Sequence, residues 1–372
     1  MKSRNASSLW TKTLTLMSGA MTAICLSMAP QGAKAENFNN VVIIGDSLSD
    51  TGNLFGLSTV LLYLYPGLFP EAFPMSPPYA QGRFSNGPVW IETLAYRVDH
   101  PAAAAPAGFA LGPTIFPGYP GGGNYSIAGA LAGTGGSVFG ENPPTGLKVQ
   151  AELYLQQHGG AADPGTLYVV VGGGNDVRVQ TAAQSSKKLR DAALQAAAQS
   201  YRDVIKRLAD AGAKTFVVAN VPDFGVSPEA IYIYNKASAA SDATRSFNRY
   251  ADRMLERLAE QQDLTLARVD FFGLMDAIIH DATYEGGATF GITNVNTPCL
   301  DVPAWFAGGV IPGAGTSNCN ISLWADYHHP TAKVLALMGH AAAACRINRR
   351  TVIATTPDPM DEVLHSFCDV LH

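Results

Sequence analysis

The sequence holds neither a Cys-x-x-Cys pair nor a His-Glu-x-x-His run. Those spacings gather ligands around a tetrahedral zinc, so neither a structural nor a catalytic metal site is expected. Basic residues are outnumbered, 25 Lys and Arg against 30 Asp and Glu for a net charge of −5, which argues against a nucleic-acid partner. No segment repeats internally. Beyond residue 35 no stretch is apolar and long enough to cross a bilayer, so no integral membrane segment is expected once a leader is removed. What is present is a chain of 372 residues with 47% apolar content, suited to one or two packed domains.

The leader is read at residues 1–35. Lys2, Arg4 and Lys12 give a basic start, residues 13–29 are mostly apolar, and Ala33-Lys34-Ala35 is a small-x-small cleavage signal. That combination reads as a secretory signal peptide. Gly19, Thr22 and Ser27 interrupt a segment already short for a span, and Ile24 before Cys25 does not suit lipid attachment, so release is expected. Loss of Lys2, Arg4, Lys12 and Lys34 lowers 25 basic residues to 21 against 30 acidic, a net charge of −9. Four cysteines remain: Cys299, Cys319, Cys345 and Cys368. An even number in an exported chain suggests two disulfides. Three pairings exist. The natural one joins Cys299 to Cys319, stapling a loop before the last histidine cluster, and Cys345 to Cys368, fastening the C-terminal tail.

Strands are expected at 41–45, 166–172, 214–219 and 264–269, all short, apolar and rich in β-branched residues, with a further short one near 124–127. Helical patterns fill 88–98, 147–158, 184–210, 237–262 and 331–346. Near-continuous apolar strands separated by helices imply a mainly parallel sheet covered on both faces. Residues 99–123 and 281–320 read as long loops, and loops of that length are more often functional than idle. The folded core is expected at 36–346, with 347–372 a tail.

Ser47 follows Val41-Val42-Ile43-Ile44-Gly45-Asp46 and so stands at a strand's C-terminal end, where open α/β sheets place their ligands. A serine there needs a base, an orienting acid and oxyanion donors before it is a nucleophile. Asp326-Tyr327-His328-His329-Pro330-Thr331 offers the first two across a tight turn. The i,i+3 spacing from Asp326 slightly favours His329 over His328, without separating them. Gly172-Gly173-Gly174-Asn175-Asp176 follows an apolar run and lets Asn175 aim an amide at a developing oxyanion. Asn124-Tyr125-Ser126-Ile127-Ala128-Gly129-Ala130 ends similarly, with the Gly129 N–H as a second donor.

These blocks together resemble the GDSL lipase/esterase family, also called SGNH hydrolases, and in particular its exported bacterial branch of lipases, lysophospholipases and acyltransferases. Residues 45–53 match its Gly-Asp-Ser-Leu-Ser-Asp-x-Gly-Asn pattern throughout. Gly129 matches the block-two glycine, although Ser126 replaces the usual Ala. Asn175 matches the asparagine of Gly-x-Asn-Asp, and Asp326 and His329 match Asp-x-x-His-Pro-Thr. Residues 82–90, 220–223 and 293–299 match supporting segments, so the likeness runs from about 40 to 345. Like the family, the chain lacks a Gly-x-Ser-x-Gly elbow around Ser47.

The resemblance implies a three-layer α/β/α, flavodoxin-like fold and a serine ester hydrolase in the secreted or periplasmic space of a bacterium. It implies Ser47 as nucleophile, His329 as base, Asp326 as its acid, and an oxyanion hole from the Ser47 and Gly129 N–H groups and the Asn175 amide. It implies no cofactor. Asp46, Asp50, Asn53 and Asp176 read as framework around the nucleophile turn, and Arg83 as half of a structural ion pair. The apolar segment 54–73 directly after the nucleophile turn suggests an acyl cleft, with Leu54, Phe55, Leu57, Phe139 and Trp305 as candidate walls and Phe116 as a further one. Lipid-like or aryl esters, including lysophospholipids, fit such a cleft, with hydrolysis or acyl transfer as the outcome. The alternatives are a carbohydrate O-acetyl esterase with a small polar pocket, and a non-catalytic exported binding protein on the same scaffold. A monomer is expected.

Overall fold

The structure is a computed structural model that describes residues 34–35, 37–67, 70–183, 186–348, 351–353 and 358–371. The leader expected at 1–35 lies almost wholly outside the described residues. Among the described residues no helix is long and apolar enough to cross a membrane.

Five strands form the central sheet: β1 (Val41–Ile44), β2 (Leu167–Val170), β3 (Thr215–Ala219), β4 (Thr265–Val269) and β5 (Cys368–Leu371). Their spatial order is β5-β4-β3-β2-β1. The first four run parallel, and β5 joins β4 antiparallel with Cys368 opposite Val269. Beyond β1 the expected strand near 124–127 shrinks to one parallel bridge between Asn124 and Ile43. The Tyr125 N–H donates to the Ile43 carbonyl there at 2.8 Å.

Ten helices carry labels: α1 (Asn53–Leu64), α2 (Trp90–Arg97), α3 (Leu147–Gln157), α4 (Gly174–Ala183), α5 (Lys187–Asp210), α6 (Ala237–Gln262), α7 (Phe271–Tyr284), α8 (Ala304–Ala307), α9 (Ala332–Ala343) and α10 (Asp361–Leu364). Alternate strand residues point to opposite faces. Val41, Ile43, Val169 and Val217 pack with α2, α7 and α9. Val42, Ile44, Tyr168, Phe216 and Val218 pack with α3, α5 and α6. A β-branched run with no polar alternation is thus the signature of strands buried on both faces, and the result is the three-layer α/β/α architecture that the pattern implied. A third apolar cluster (Leu54, Leu57, Leu61, Phe73, Phe84, Phe109) lies under the loops beside α1.

Several elements depart from the sequence expectation. Within the expected loop 99–123, Gly108–Leu111 and Thr114–Pro117 pair as a hairpin. Helices α4 and α7 begin straight after β2 and β4, where glycines and a phenylalanine pair obscure the helical period. Strand β5 comes from the region read as a tail: it is four residues long and Asp369 interrupts its apolar residues, as suits an edge strand that buries only part of its surface. Cys299 bonds Cys319, and Cys345 bonds Cys368. The second link joins the chain just after α9 to the start of β5.

Candidate active site

β1 ends at Ile44, and the chain turns sharply through Gly45 and Asp46 to present Ser47. Gln150 on α3 fixes the start of that turn, accepting the Gly45 N–H and donating to the Gly45 carbonyl, both at 2.9 Å. The Asp46 carboxylate accepts the Leu48 N–H at 3.1 Å. The Asp50 carboxylate caps the start of α1, accepting N–H groups from Gly52, Asn53 and Leu54, and reaches across to the Ala128 N–H at 2.9 Å. Asn53 donates to the Asn124 and Ser126 carbonyls. These residues lock the nucleophile turn to the block that carries Gly129. Burial pushes both Asp46 and Asp50 up to about 6, against the N–H donors that favour their charged forms. Asp176 is pushed up to about 7, also by burial, while it accepts the Ala132 N–H. Arg83 pairs with Glu92 through Nε at 2.8 Å and Nη2 at 2.7 Å, away from Ser47.

Trp324 and Pro330 bridge a tight loop in which the Ala325 N–H donates to the His329 carbonyl at 2.8 Å. That loop folds Asp326 under His329. One Asp326 oxygen accepts the backbone N–H groups of His328 and His329 at 2.8 and 2.7 Å. The other faces His329 Nδ1 at 2.7 Å and accepts the Tyr79 hydroxyl. Burial alone would raise the Asp326 carboxyl, but the His329 and His328 rings and these donors hold it well below the usual carboxylate range. With Nδ1 donating to Asp326, Nε2 is left as an acceptor, and it stands 2.8 Å from Ser47 Oγ. His328 faces elsewhere: its ring lies 4.0 Å from the His329 ring, and its Nδ1 lies 2.9 Å from Glu229 Oε2, off the direction a hydrogen bond needs. Burial lowers His328 to about 4. Geometry therefore pairs His329, not His328, with the serine.

Three N–H donors border the same space. The Ser47 and Gly129 backbone N–H groups have no acceptor among the described residues. Asn175, on the first turn of α4, donates one Nδ2 proton to the Ala130 carbonyl at 3.1 Å and retains the other. Gly129 needs its φ of +83°, and a Cβ there would sit 2.7 Å from Val138 Cγ2. Gly173 stands at φ +100° with the Phe247 ring so close that any side chain would collide; this contact sets α4, and with it Asn175, against α6.

Two adjoining clefts of unequal size, both open to solvent, meet at Ser47, Asn175, Arg178, His328 and His329. The larger is walled by Leu54, Phe73, Phe84, Val138 and Phe306, with Phe306 stacked on Phe73 and Phe84 at 5.6 and 6.3 Å. The smaller is walled by Leu48, Val221, Pro222, Phe224, Met275 and Trp324. Of the walls expected from sequence only Leu54 reaches the cleft. Leu57, one turn along the same face of α1 as Leu54, is buried in the apolar cluster beneath, and Phe55 is half-buried. Phe139 and Trp305 are each displaced by one residue: Val138 and Phe306 line the cleft, while Phe139 packs on the cluster and Trp305 is 58% exposed. Phe116 stacks on Phe109 in the hairpin, at 5.1 Å. Sequence reading missed Tyr79, Arg178 and the aromatic wall. Phe84 lay within a segment already noted, but nothing local marks Tyr79 or Phe306, which reach the site from long loops.

The chain matches the GDSL-like Lipase/Acylhydrolase family over residues 41–342. It is 30% identical over 234 residues to a phosphatidylcholine-sterol acyltransferase of Aeromonas hydrophila, covering 60% of this chain and 55% of that protein. It is 25% identical over 281 residues to a thermolabile hemolysin of Vibrio parahaemolyticus, covering 72% and 52%. Against a lipase of Photorhabdus luminescens, Lipase 1, it is 28% identical over 213 residues, covering 56% and 26%. The chain thus spans about half or less of the length of these curated relatives.

Proposed function

We propose that this chain, which belongs to the GDSL-like lipase/acylhydrolase family and so is an ester hydrolase, cleaves lipid-like or aryl carboxylic esters through Ser47, His329 and Asp326. The observation that carries this reading is the unbroken relay from Asp326 through His329 to Ser47 Oγ, at 2.7 and 2.8 Å, beside three available N–H donors. His329 Nε2 takes the hydroxyl proton as Ser47 Oγ bonds to the ester carbonyl carbon. The carbonyl oxygen becomes an anion facing the Ser47, Gly129 and Asn175 N–H groups, whose stabilisation of such a charge is commonly the largest single contribution to catalysis. Asp326 holds the imidazole in the right tautomer and balances its charge when protonated. Nε2–H then protonates the leaving alcohol oxygen, the C–O bond breaks, and an acyl-serine remains. Water, deprotonated by the same nitrogen, releases the acid; an alcohol in its place yields a transferred ester.

The apolar wall of the larger cleft supports an acyl chain as its occupant. The names of the Aeromonas and Photorhabdus relatives support a lipid substrate and leave transfer open. The leader-like start and the two disulfides support export to an oxidising compartment. A chain-length series of p-nitrophenyl esters, run beside a lysophospholipid, a phospholipid and an acetylated sugar with wild type and Ser47→Ala, tests the reading. Turnover by wild type on medium-chain esters, lost in Ser47→Ala, is expected. Preference for the acetylated sugar, or wild-type turnover by the variant, overturns it.

A further inference from the structure

Arg178 is a charged side chain in the cleft wall to which the relay gives no task. It lies on α4 three residues after Asn175, and side chains so spaced on a helix are neighbours, about 5–6 Å apart at Cβ. It borders both clefts. Its guanidinium is clamped along one edge only. Nε lies 3.0 and 2.8 Å from the two Glu229 oxygens, and Nη2 donates to Oε1 at 2.6 Å. Glu229 is 1% exposed and also accepts the Tyr234 hydroxyl at 2.8 Å, while its own N–H donates to the Tyr327 carbonyl beside the relay. Burial would raise Glu229, but His328 and Arg178 hold it at about 2, so the clamp stays ionised. The opposite edge, Nη1 with the second proton of Nη2, has no partner among the described residues, and Nη1 is not buried.

We propose that this open edge of Arg178 binds the phosphate on the alcohol side of an ester substrate whose carbonyl sits at Ser47, making the preferred substrate a glycerol-based phospholipid ester. The proposal rests on the ester-hydrolase reading of Ser47. Two parallel N–H groups on a planar fork fit two oxygens of a phosphate. The larger cleft has an apolar wall suited to the acyl chain, which leaves the alcohol portion to the shared floor where Arg178 stands. One helical turn separates Arg178 from the oxyanion donor Asn175, and a three-carbon glycerol bridges a comparable gap between carboxylic ester and phosphate. Of the nearby carboxylates, Asp223 is occupied by the Gly225 N–H and the Ser241 hydroxyl, and Asp46 by the Leu48 N–H. Glu229 balances the arginine charge, so recognition comes from directed N–H groups rather than from a general positive field.

The test compares monoacylglycerol, the same chain as its glycerol 3-phosphate ester, and an analogue with a carboxylate in the phosphate position. For Arg178→Gln, kcat/KM on the phosphate ester is expected to fall about ten-fold or more, mainly through KM, as for losing a charged hydrogen-bond pair. The loss on monoacylglycerol should stay within about three-fold, with Arg178→Lys in between on the phosphate ester. A loss on the carboxylate analogue as large as on the phosphate ester would widen the ligand to anions generally and overturn the phosphate assignment. Equal loss on all three substrates would make Arg178 structural and overturn the proposal. Because the substitution strands a buried Glu229, wild type is also assayed on monoacylglycerol with added glycerol 3-phosphate or glycerol. Competitive inhibition by the phosphate alone is expected, and inhibition by neither overturns the proposal even if the variants do not fold. If wild type cleaves no ester, the Ser47 reading has failed, and binding of glycerol 3-phosphate measured by calorimetry on wild type and Arg178→Lys still decides the subsite.

Discussion

The corner around Ser47 and the aromatic wall beside it are adjacent in space and built by opposite means. The corner is polar and over-determined: Asp50 accepts four backbone N–H groups, Asp326 accepts two more, and Gln150 holds both the N–H and the carbonyl of Gly45. The wall is apolar and generic, with the rings of Phe73, Phe84 and Phe306 brought together from separate segments and stacked on one another. Buried polar groups need partners at set distances and angles, so a corner of this kind tolerates few sequences. A wall needs only volume and apolar surface, so it can vary and thereby set which ester is accepted.

The largest effect should come from the corner. Ser47→Ala is expected to lower kcat/KM on a short aryl ester by about four orders of magnitude or more, as removal of a relay member does, with an unchanged melting temperature. Ser47 makes no hydrogen bond that the fold requires beyond His329. Should the variant lose its fold instead, the corner would be structural first and chemical second, and the comparison would break. Next comes Asn175→Ala, where loss of one oxyanion donor is worth about 10²–10³ in kcat with KM little changed. A matching rise in KM would place Asn175 in ground-state binding instead.

The wall should respond differently. Phe306→Ala opens the junction with Phe73 and Phe84 and is expected to lower kcat/KM about ten-fold on medium-chain esters, within the range of burying an aromatic side chain, while acetate esters change by less than about two-fold. A uniform loss across chain lengths would show that the wall supports the relay (Phe84 lies 5.0 Å from the His329 ring) rather than the acyl chain.

This contrast also explains what the sequence disclosed. The four parallel strands were readable because burial on both faces favours near-continuous apolar runs rich in β-branched residues, and the corner was readable because each strand end needs particular residues within a few positions of one another. Gly129 is required by its φ and by Val138, and Asp326 and His329 by one tight turn. The wall was not readable: Trp305 and Phe306 are equivalent as text, and only the packing of α8 decides which one faces the cleft. Strand β5 was hidden for a related reason, since a half-exposed edge strand such as Cys368–Leu371 lacks a continuous apolar run. Helix α4 was hidden by the same three glycines that position Asn175.

Tyr79 joins the two regions and carries the smallest expected effect. It belongs to the apolar cluster, with its ring 5.5 Å from Phe84, yet its hydroxyl donates to the Asp326 oxygen that also faces His329 Nδ1. Tyr79→Phe keeps the ring and removes that donor. Asp326 then has one hydrogen bond fewer to its charged form, so its carboxyl rises from its depressed position while remaining ionised at neutral pH. A depressed carboxyl adds stability that is present above its ordinary pKa and is lost as pH falls toward its folded value. The variant should therefore be less stable than wild type at pH 7, by about 1–3 kcal/mol for a buried bond to a charged group, and the gap should narrow as acid protonates Asp326. Activity on a short ester should fall by no more than about five-fold, since His329 still meets Asp326 through Nδ1 and through its own backbone N–H. Thermal melts of both proteins across pH decide it: a gap that stays constant into acid would mean that the tyrosine serves the wall alone, and the corner would then be complete without it.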